Sequence, residues 1–133
     1  MANSDLSIIN EDLLNSSGVS VMVAKCVGKD LVITTCNEAN AKMTGYTVED
    51  LIGCRPKDTT LSNATDVSSI QKALDTAARG EPGIFSSRFK RKDGTPFAAR
   101  CMVTGRFDVA GKITHYVFVA TEINPGNPCL RWF

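Results

Sequence analysis

Five cysteines and one histidine are the side chains in this 133-residue sequence best suited to covalent or metal chemistry, and their spacing supports little of it. Cys26, Cys36, Cys54, Cys101 and Cys129 are odd in number and far apart, with no Cys-x-x-Cys pair and only His115 to join them. Neither a zinc site nor a disulfide framework is expected. A catalytic nucleophile would need a base beside it, and the chain has no Gly-x-Ser-x-Gly, no phosphate-cradling glycine loop and no His-Glu-x-x-His, so the expectation is a protein that is not an enzyme. The thiol with most to offer is Cys54, between Gly53 and Arg55, because a neighbouring guanidinium lowers a thiol pKa. It is the candidate redox-sensitive residue; the bland alternative is an inert, half-buried cysteine.

Charge narrows the partners. Fifteen basic against 14 acidic residues leave a formal charge of +1, too little field to draw the protein to nucleic acid or to an anionic membrane. Arg88, Lys90, Arg91 and Lys92 form the one local excess and read as a solvated hairpin tip. The start, Met-Ala-Asn-Ser-Asp, lacks a charged-then-apolar signal pattern, and no apolar run approaches the roughly 20 residues of a membrane helix. With no disulfide framework, a reducing, cytoplasmic setting is the expectation. Apolar residues at 43% and charged residues at 22% fit one soluble domain with a single core.

The elements that must position these side chains follow from periodicity. Leu6, Ile9 and Leu13 lie on a helical stripe within residues 1–18, an N-terminal amphipathic helix that stops at Asn15-Ser16-Ser17-Gly18. Val19, Val21 and Val23 alternate with Ser20 and Met22, and Gly28-Lys29-Asp30 turns the chain into a second strand that ends at Cys36. Asn37 caps a short helix that Thr44-Gly45-Tyr46 stops, and Thr47 caps another with Glu49 and Asp50 in its first turn. Beyond Arg55-Pro56, Asp66 caps a helix to about Arg79, with Val67, Ile70, Ala73, Leu74 and Ala77 on one face. From Gly83 the period becomes two, and three long strands follow, turning at Lys92-Asp93-Gly94-Thr95 and at Ala110-Gly111-Lys112. This order gives an α+β fold, a five-stranded antiparallel sheet with helices on one face and an N-terminal flanking helix.

That order, together with Asn37-x-Ala39, Thr44-Gly45-Tyr46, Leu51-Ile52-Gly53, Arg91-Lys92-Asp93-Gly94 and Gly111-Lys112-Ile113, resembles a PAS domain from residue 19 to 124. Each motif alone is weak; their order and spacing over more than 80 residues carry the resemblance. It implies a sensory or protein-interaction module in signal transduction whose sheet and helices can enclose a small ligand. It also implies an ion pair across the surface between Lys92 and either Glu49 or Asp50. PAS domains often dimerise through the outer sheet face and flanking helices, so a homodimer or partner protein on that face and on the N-terminal helix is the expected assembly. The last strand agrees, because His115, Val117, Val119 and Thr121 make its outer side partly apolar.

The possible ligand pocket comprises Met43, Ile52, Ile70, Leu74, Phe85, Phe89, Ala99, Cys101, Tyr116, Phe118 and Ala120, with Leu51, Phe97 and Val103 completing the expected core. Small Ala99 and Ala120 on adjacent strands leave room; a filled core is the simpler alternative. The cofactor stays unassigned. The flavin-binding blue-light subclass carries Gly-x-Asn-Cys-Arg-Phe-Leu-Gln where this chain has Gly53-Cys54-Arg55-Pro56-Lys57, and alanines stand where that subclass places amides against the ring. Haem-binding relatives carry their histidine on the long helix, whereas His115 opens the last strand as an ordinary surface or interface residue. Alternative readings are an atypical flavin photosensor or redox sensor, and a small enzyme on a similar curved sheet. The exit, Glu122-Ile123-Asn124 then Pro125-Gly126-Asn127-Pro128, will not continue a helix. Output is therefore expected through the N-terminal helix or the sheet, with the apolar tail of residues 125–133 folding back on the sheet.

Overall fold

The computed structural model describes residues 19–123, so the N-terminal helix and the C-terminal tail expected from the sequence lie outside the described residues. Strands β1 (Ser20–Val27) and β2 (Asp30–Cys36) are followed by helices α1 (Glu38–Thr44) and α2 (Val48–Leu51), a single 3-10 turn at Pro56–Asp58, and helix α3 (Val67–Ala78). Strands β3 (Gly83–Lys90), β4 (Pro96–Phe107) and β5 (Ile113–Glu122) complete one antiparallel sheet in the order β2-β1-β5-β4-β3. The two hairpins at the ends of the sequence thus meet in the middle of the sheet, where β1 pairs with β5.

Asn37 joins the first strand to the first helix. Its Oδ1 accepts from the Asn40 amide at 3.0 Å, the helix cap, and from the Val21 amide at 3.0 Å, while its Nδ2 donates to the Val19 carbonyl at 2.7 Å. A side chain only 1% exposed can be polar there because it satisfies backbone groups of two elements at once. Helix α1 closes at Gly45, whose φ of 78° is the left-handed cap that other residues resist. The β3–β4 turn docks on this end, the Lys92 amide donating to the Thr44 carbonyl at 3.0 Å. Helix α2 carries a full capping box between Thr47 and Asp50.

Helix α3 lies across β3 and β4, and it lies close. Ala73 and Ala77, 4% and 0% exposed, face Gly83 and Gly105. A Cβ built on Gly83 would stand 2.1 Å from the Ala73 carbonyl oxygen, and one on Gly105 would stand 2.9 Å from that of Ala77. The small residues on both sides therefore set the height of the helix above the sheet. Val67, on the apolar face of this helix with Ile70 and Leu74, lies in its first turn and is 61% exposed.

The main core joins the inner faces of β1, β3, β4 and β5 to α3, namely Ala24, Phe85, Phe89, Phe97, Ala99, Cys101, Val103, Phe118 and Ala120 against Ala73 and Ala77, with Leu31 of β2 packed against them. A second cluster, Val21, Val23 and Val117, sits on the opposite face of the sheet, as the period of two requires. No helix among the described residues is long and apolar enough to cross a membrane.

Candidate functional site

Between the inner sheet face and the helices lies a cavity of about 310 Å³. Its floor is built by alternation along three strands. Ala99 and Cys101 on β4 lie beside Ala120 on β5, and the larger Phe85, Phe89, Phe97 and Phe118 stand around them. Small side chains in the middle of a ring of large ones leave the space. The Phe89 and Phe97 rings pack at 5.6 Å between centroids, tilted by 32°. Ile70 and Leu74, one helical turn apart on α3, form one wall, and Met43 of α1, Leu51 of α2 and Leu61 of the following loop form another.

One end of the cavity is polar and buried. Ser20, Asn40 and Thr44 line it, each less than 7% exposed at 4%, 6% and 4%. Asn40 Nδ2 donates to Ser20 Oγ at 2.8 Å, and Thr44 Oγ1 donates to the Asn40 carbonyl at 2.9 Å. Asn40 Oδ1 has no hydrogen-bond partner. An amide oxygen in that condition costs about 1–3 kcal/mol. The charged lining is at the rim: Asp30 pairs with Lys57 at 3.0 Å and with Arg55 at 3.5 Å, and Arg55 also pairs with Asp58 at 2.7 Å. These side chains remain 40–54% exposed, and Lys57 together with Arg55 holds the Asp30 carboxyl below its usual range.

Nine of the residues expected in the pocket line this cavity, namely Met43, Ile70, Leu74, Phe85, Phe89, Ala99, Cys101, Phe118 and Ala120. Two lie elsewhere. Ile52 is 42% exposed because it is the extended C-cap of a one-turn helix, which buries Leu51 at 2% and turns its neighbour outward. Tyr116 shares the inner face of β5 with Phe118, their rings 6.4 Å apart, but packs against the core outside the cavity, opposite Gly105 where α3 rests directly on the sheet. Ser20, Asn40, Thr44 and the rim residues line the cavity in addition to those expected from the sequence. Asn40, Met43 and Thr44 share one helical face behind the Asn37 cap, and that spacing is the signal that identifies them.

Cys54 is half-buried outside the cavity, its thiol donating to the Asp50 carbonyl at 3.2 Å, while the adjacent Arg55 is committed to carboxylates. Burial pushes the Cys101 thiol up to about 12, so in the cavity it is a neutral, apolar group. His115 lies on the opposite side of the sheet, with Nδ1 2.9 Å from Thr114 Oγ1. The sheet keeps Cys101 and His115 apart. No cluster of three metal-ligating side chains forms among the described residues.

Arg91, at the end of β3, ties the cavity to the end of the last strand. Its guanidinium donates to the carbonyl of cavity-lining Met43, lies 4.9 Å from the Phe97 ring centroid, and pairs with Glu122 at 3.0 Å. Beside it Lys92 pairs with Asp50, not Glu49, at 3.2 Å, and this contact leads those that lower the Asp50 pKa.

A five-stranded antiparallel sheet with a cavity between it and its helical layer defines an α+β domain with a candidate ligand pocket. The family model for the PAS domain matches residues 19–125, and the chain belongs to that family. Among solved structures, one from a flavin-analogue study of light-oxygen-voltage domain mechanism is similar at a TM-score of 0.74 and 18% identity, covering 90% of this chain and 89% of that one. The light-oxygen-voltage protein of Rhodobacter sphaeroides gives 0.75 and 14%, covering 89% and 67%. An RNA-binding light-oxygen-voltage receptor gives 0.74 and 20% with 92% of this chain covered; the chain spans 34% of that receptor. At these identities the likeness establishes the fold. No curated protein shows significant sequence similarity to the chain.

Those neighbours make flavin the group to test against the cavity. On the floor, the inward positions of β4 and β5 carry the methyl groups of Ala99 and Ala120, 1% and 6% exposed. A flavin ring's polar edge would find no amide there, and the cysteine that does face the cavity is a neutral thiol on the sheet. The sheet floor does not fit a flavin's polar edge, and the amides that do line the cavity, Asn40 and Gln71, stand on the helices.

Proposed function

We propose that this chain is a PAS sensory module of signal transduction, not an enzyme, that binds a small molecule between sheet and helices. The observation that carries this reading is the apolar cavity of about 310 Å³ with an unpartnered amide oxygen at its buried end, since a ligand supplies both the missing packing and the missing hydrogen bond. Arg91 gives occupancy a route outward, because it touches the Met43 carbonyl and the Phe97 ring on one side and Glu122 on the other. Mass spectrometry of freshly purified, denatured protein is expected to release a small molecule, and apolar ligands are expected to raise the melting temperature. No retained molecule and no shift across a broad panel would remove the ligand-binding reading.

The outer sheet face favours a second reading alongside the first, a contact with a second copy of the chain. Val21, Val119, Met102 and Ile84 stand in register across β1, β5, β4 and β3 on the side away from the helices. Ile84 and Met102, 57% and 42% exposed, extend the buried valine cluster into a solvent-facing apolar stripe. Sedimentation velocity is expected to show a dimer that Met102→Glu dissociates; a monomer at all concentrations would leave the ligand reading alone. The odd number and wide spacing of the cysteines support a reducing, cytoplasmic setting as part of this reading.

A further inference from the structure

The buried polar end of the cavity restricts the chemistry of its ligand. Asn40 lines the cavity at 6% exposure, its Nδ2 is used on Ser20, and its Oδ1 is the one buried side-chain oxygen or nitrogen among the described residues that lacks a partner. Buried amide oxygens are normally hydrogen-bonded, so this one is an acceptor awaiting a donor. The neighbouring hydroxyl of Thr44 is spent on the helix backbone, where it donates to the Asn40 carbonyl.

Charge points the same way. Each acidic or basic side chain that lines the cavity sits at its rim; Asp30, Arg55 and Lys57 are paired with one another there, and Lys29 is exposed. An ionised group carried to the buried end would lose its hydration with no counter-charge to replace it. The sheet side of the cavity is aromatic, with Phe85, Phe89, Phe97 and Phe118 around the small floor residues, a surface suited to a flat ring. A volume of about 310 Å³ lies at the small end of the roughly 300–1,000 Å³ range of ligand pockets, which suits a small ring system.

We propose that the cavity takes an uncharged aromatic molecule of the indole or phenol class, whose N–H or O–H donates to Asn40 Oδ1. This inference rests on the ligand-binding reading above and names the class of ligand. It also assigns Asn40 a binding role: the side chain holds its orientation through Ser20 and presents the acceptor to the ring.

Four probes of nearly one shape test it by titration calorimetry on the whole chain: indole, which donates; indene, which neither donates nor accepts; benzofuran, which accepts weakly; and indole-3-carboxylate, which adds a charge. Indole is expected to bind about tenfold more tightly than indene or benzofuran. Asn40→Leu is expected to abolish that preference while still binding indene. Should Asn40→Leu fail to fold by circular dichroism, the wild-type ratio decides, together with movement of the Asn40 side-chain amide resonance on adding indole. Indene or benzofuran binding as tightly as indole, or the carboxylate binding most tightly, would overturn the inference and leave the cavity reading standing. Failure of all four probes to bind or to move any cavity resonance would overturn the inference, and the ligand-binding reading would then fall or stand on the mass-spectrometry and melting tests above.

Discussion

Replacing Asn37 by alanine tests how the helical wall of the cavity is attached to the sheet. The substitution removes an N-cap, which costs about 1 kcal/mol. It also strips the Val21 amide of an acceptor at 3.0 Å and the Val19 carbonyl of a donor at 2.7 Å. Leaving a buried backbone group without its partner costs about 1–3 kcal/mol; Val19 is only half-buried, so water offsets part of its share, while Val21 at 9% exposure has little such relief. The sum is about 3–5 kcal/mol, a large fraction of the roughly 5–15 kcal/mol that holds a domain folded. Urea denaturation at neutral pH is the assay, with the midpoint falling and the m-value unchanged. Asn37→Ser, which retains a capping oxygen but not the reach to Val19, is expected to recover about 1 kcal/mol. A loss below about 1 kcal/mol at unchanged m would refute the claim that this one side chain staples strand to helix.

Four further outcomes are expected. Gly83→Ala places a methyl 2.1 Å from the Ala73 carbonyl oxygen, and because the obstacle is backbone the helix must move, at a cost of about 1–3 kcal/mol in urea melts; wild-type stability would contradict the close approach. A double-mutant cycle on Arg91→Gln and Glu122→Gln should give a coupling of at most about 1 kcal/mol, since the pair is partly exposed at 26% and 40%, while Arg91→Gln alone costs more through its contacts to Met43 and Phe97. Stability should fall as the solution is acidified below about pH 4, because Asp30, Asp50, Asp66 and Asp93 are held below their ordinary pKa in the folded state and lose that advantage as they protonate; Asp50→Asn should flatten part of this slope. At the alkaline end Cys101 behaves oppositely: its thiol, ordinarily near 9.0, is raised to about 12 by burial, so its contribution is intact below pH 9 and is lost as pH climbs toward 12. Cys101 adds a slope of up to about 1.4 kcal/mol per pH unit, and Cys101→Ala should remove that share while leaving the one from Cys36, whose thiol burial raises to about 11.

The residues that punctuate the chain were legible without coordinates. Asn37, Gly45, Thr47 and Asp66 read as caps because a helix end has unpaired backbone groups whatever surrounds it, and the structure places each of them in that role. The strands were legible from alternation, since a half-buried strand must present every second residue to the core. Alternation also placed Phe85, Phe89, Ala99, Cys101, Phe118 and Ala120 on one face. It could not tell Phe118 from Tyr116, which share that face and differ only in whether α3 or open space lies above them.

Local pattern therefore determined the α+β order, the caps, the inward faces and the likeness to a PAS domain, because each depends on interactions within a few residues. Tertiary structure alone decided where the helices stand above the sheet. That height is set by Ala73 against Gly83 and Ala77 against Gly105, pairs separated in sequence but touching in space. From it follow the cavity, the outward turn of Ile52, the choice of Asp50 over Glu49 by Lys92, and the burial of an amide oxygen on Asn40 without a partner. Packing density and hydrogen-bond satisfaction are sums over neighbours, and the neighbours are known only once the chain has closed on itself.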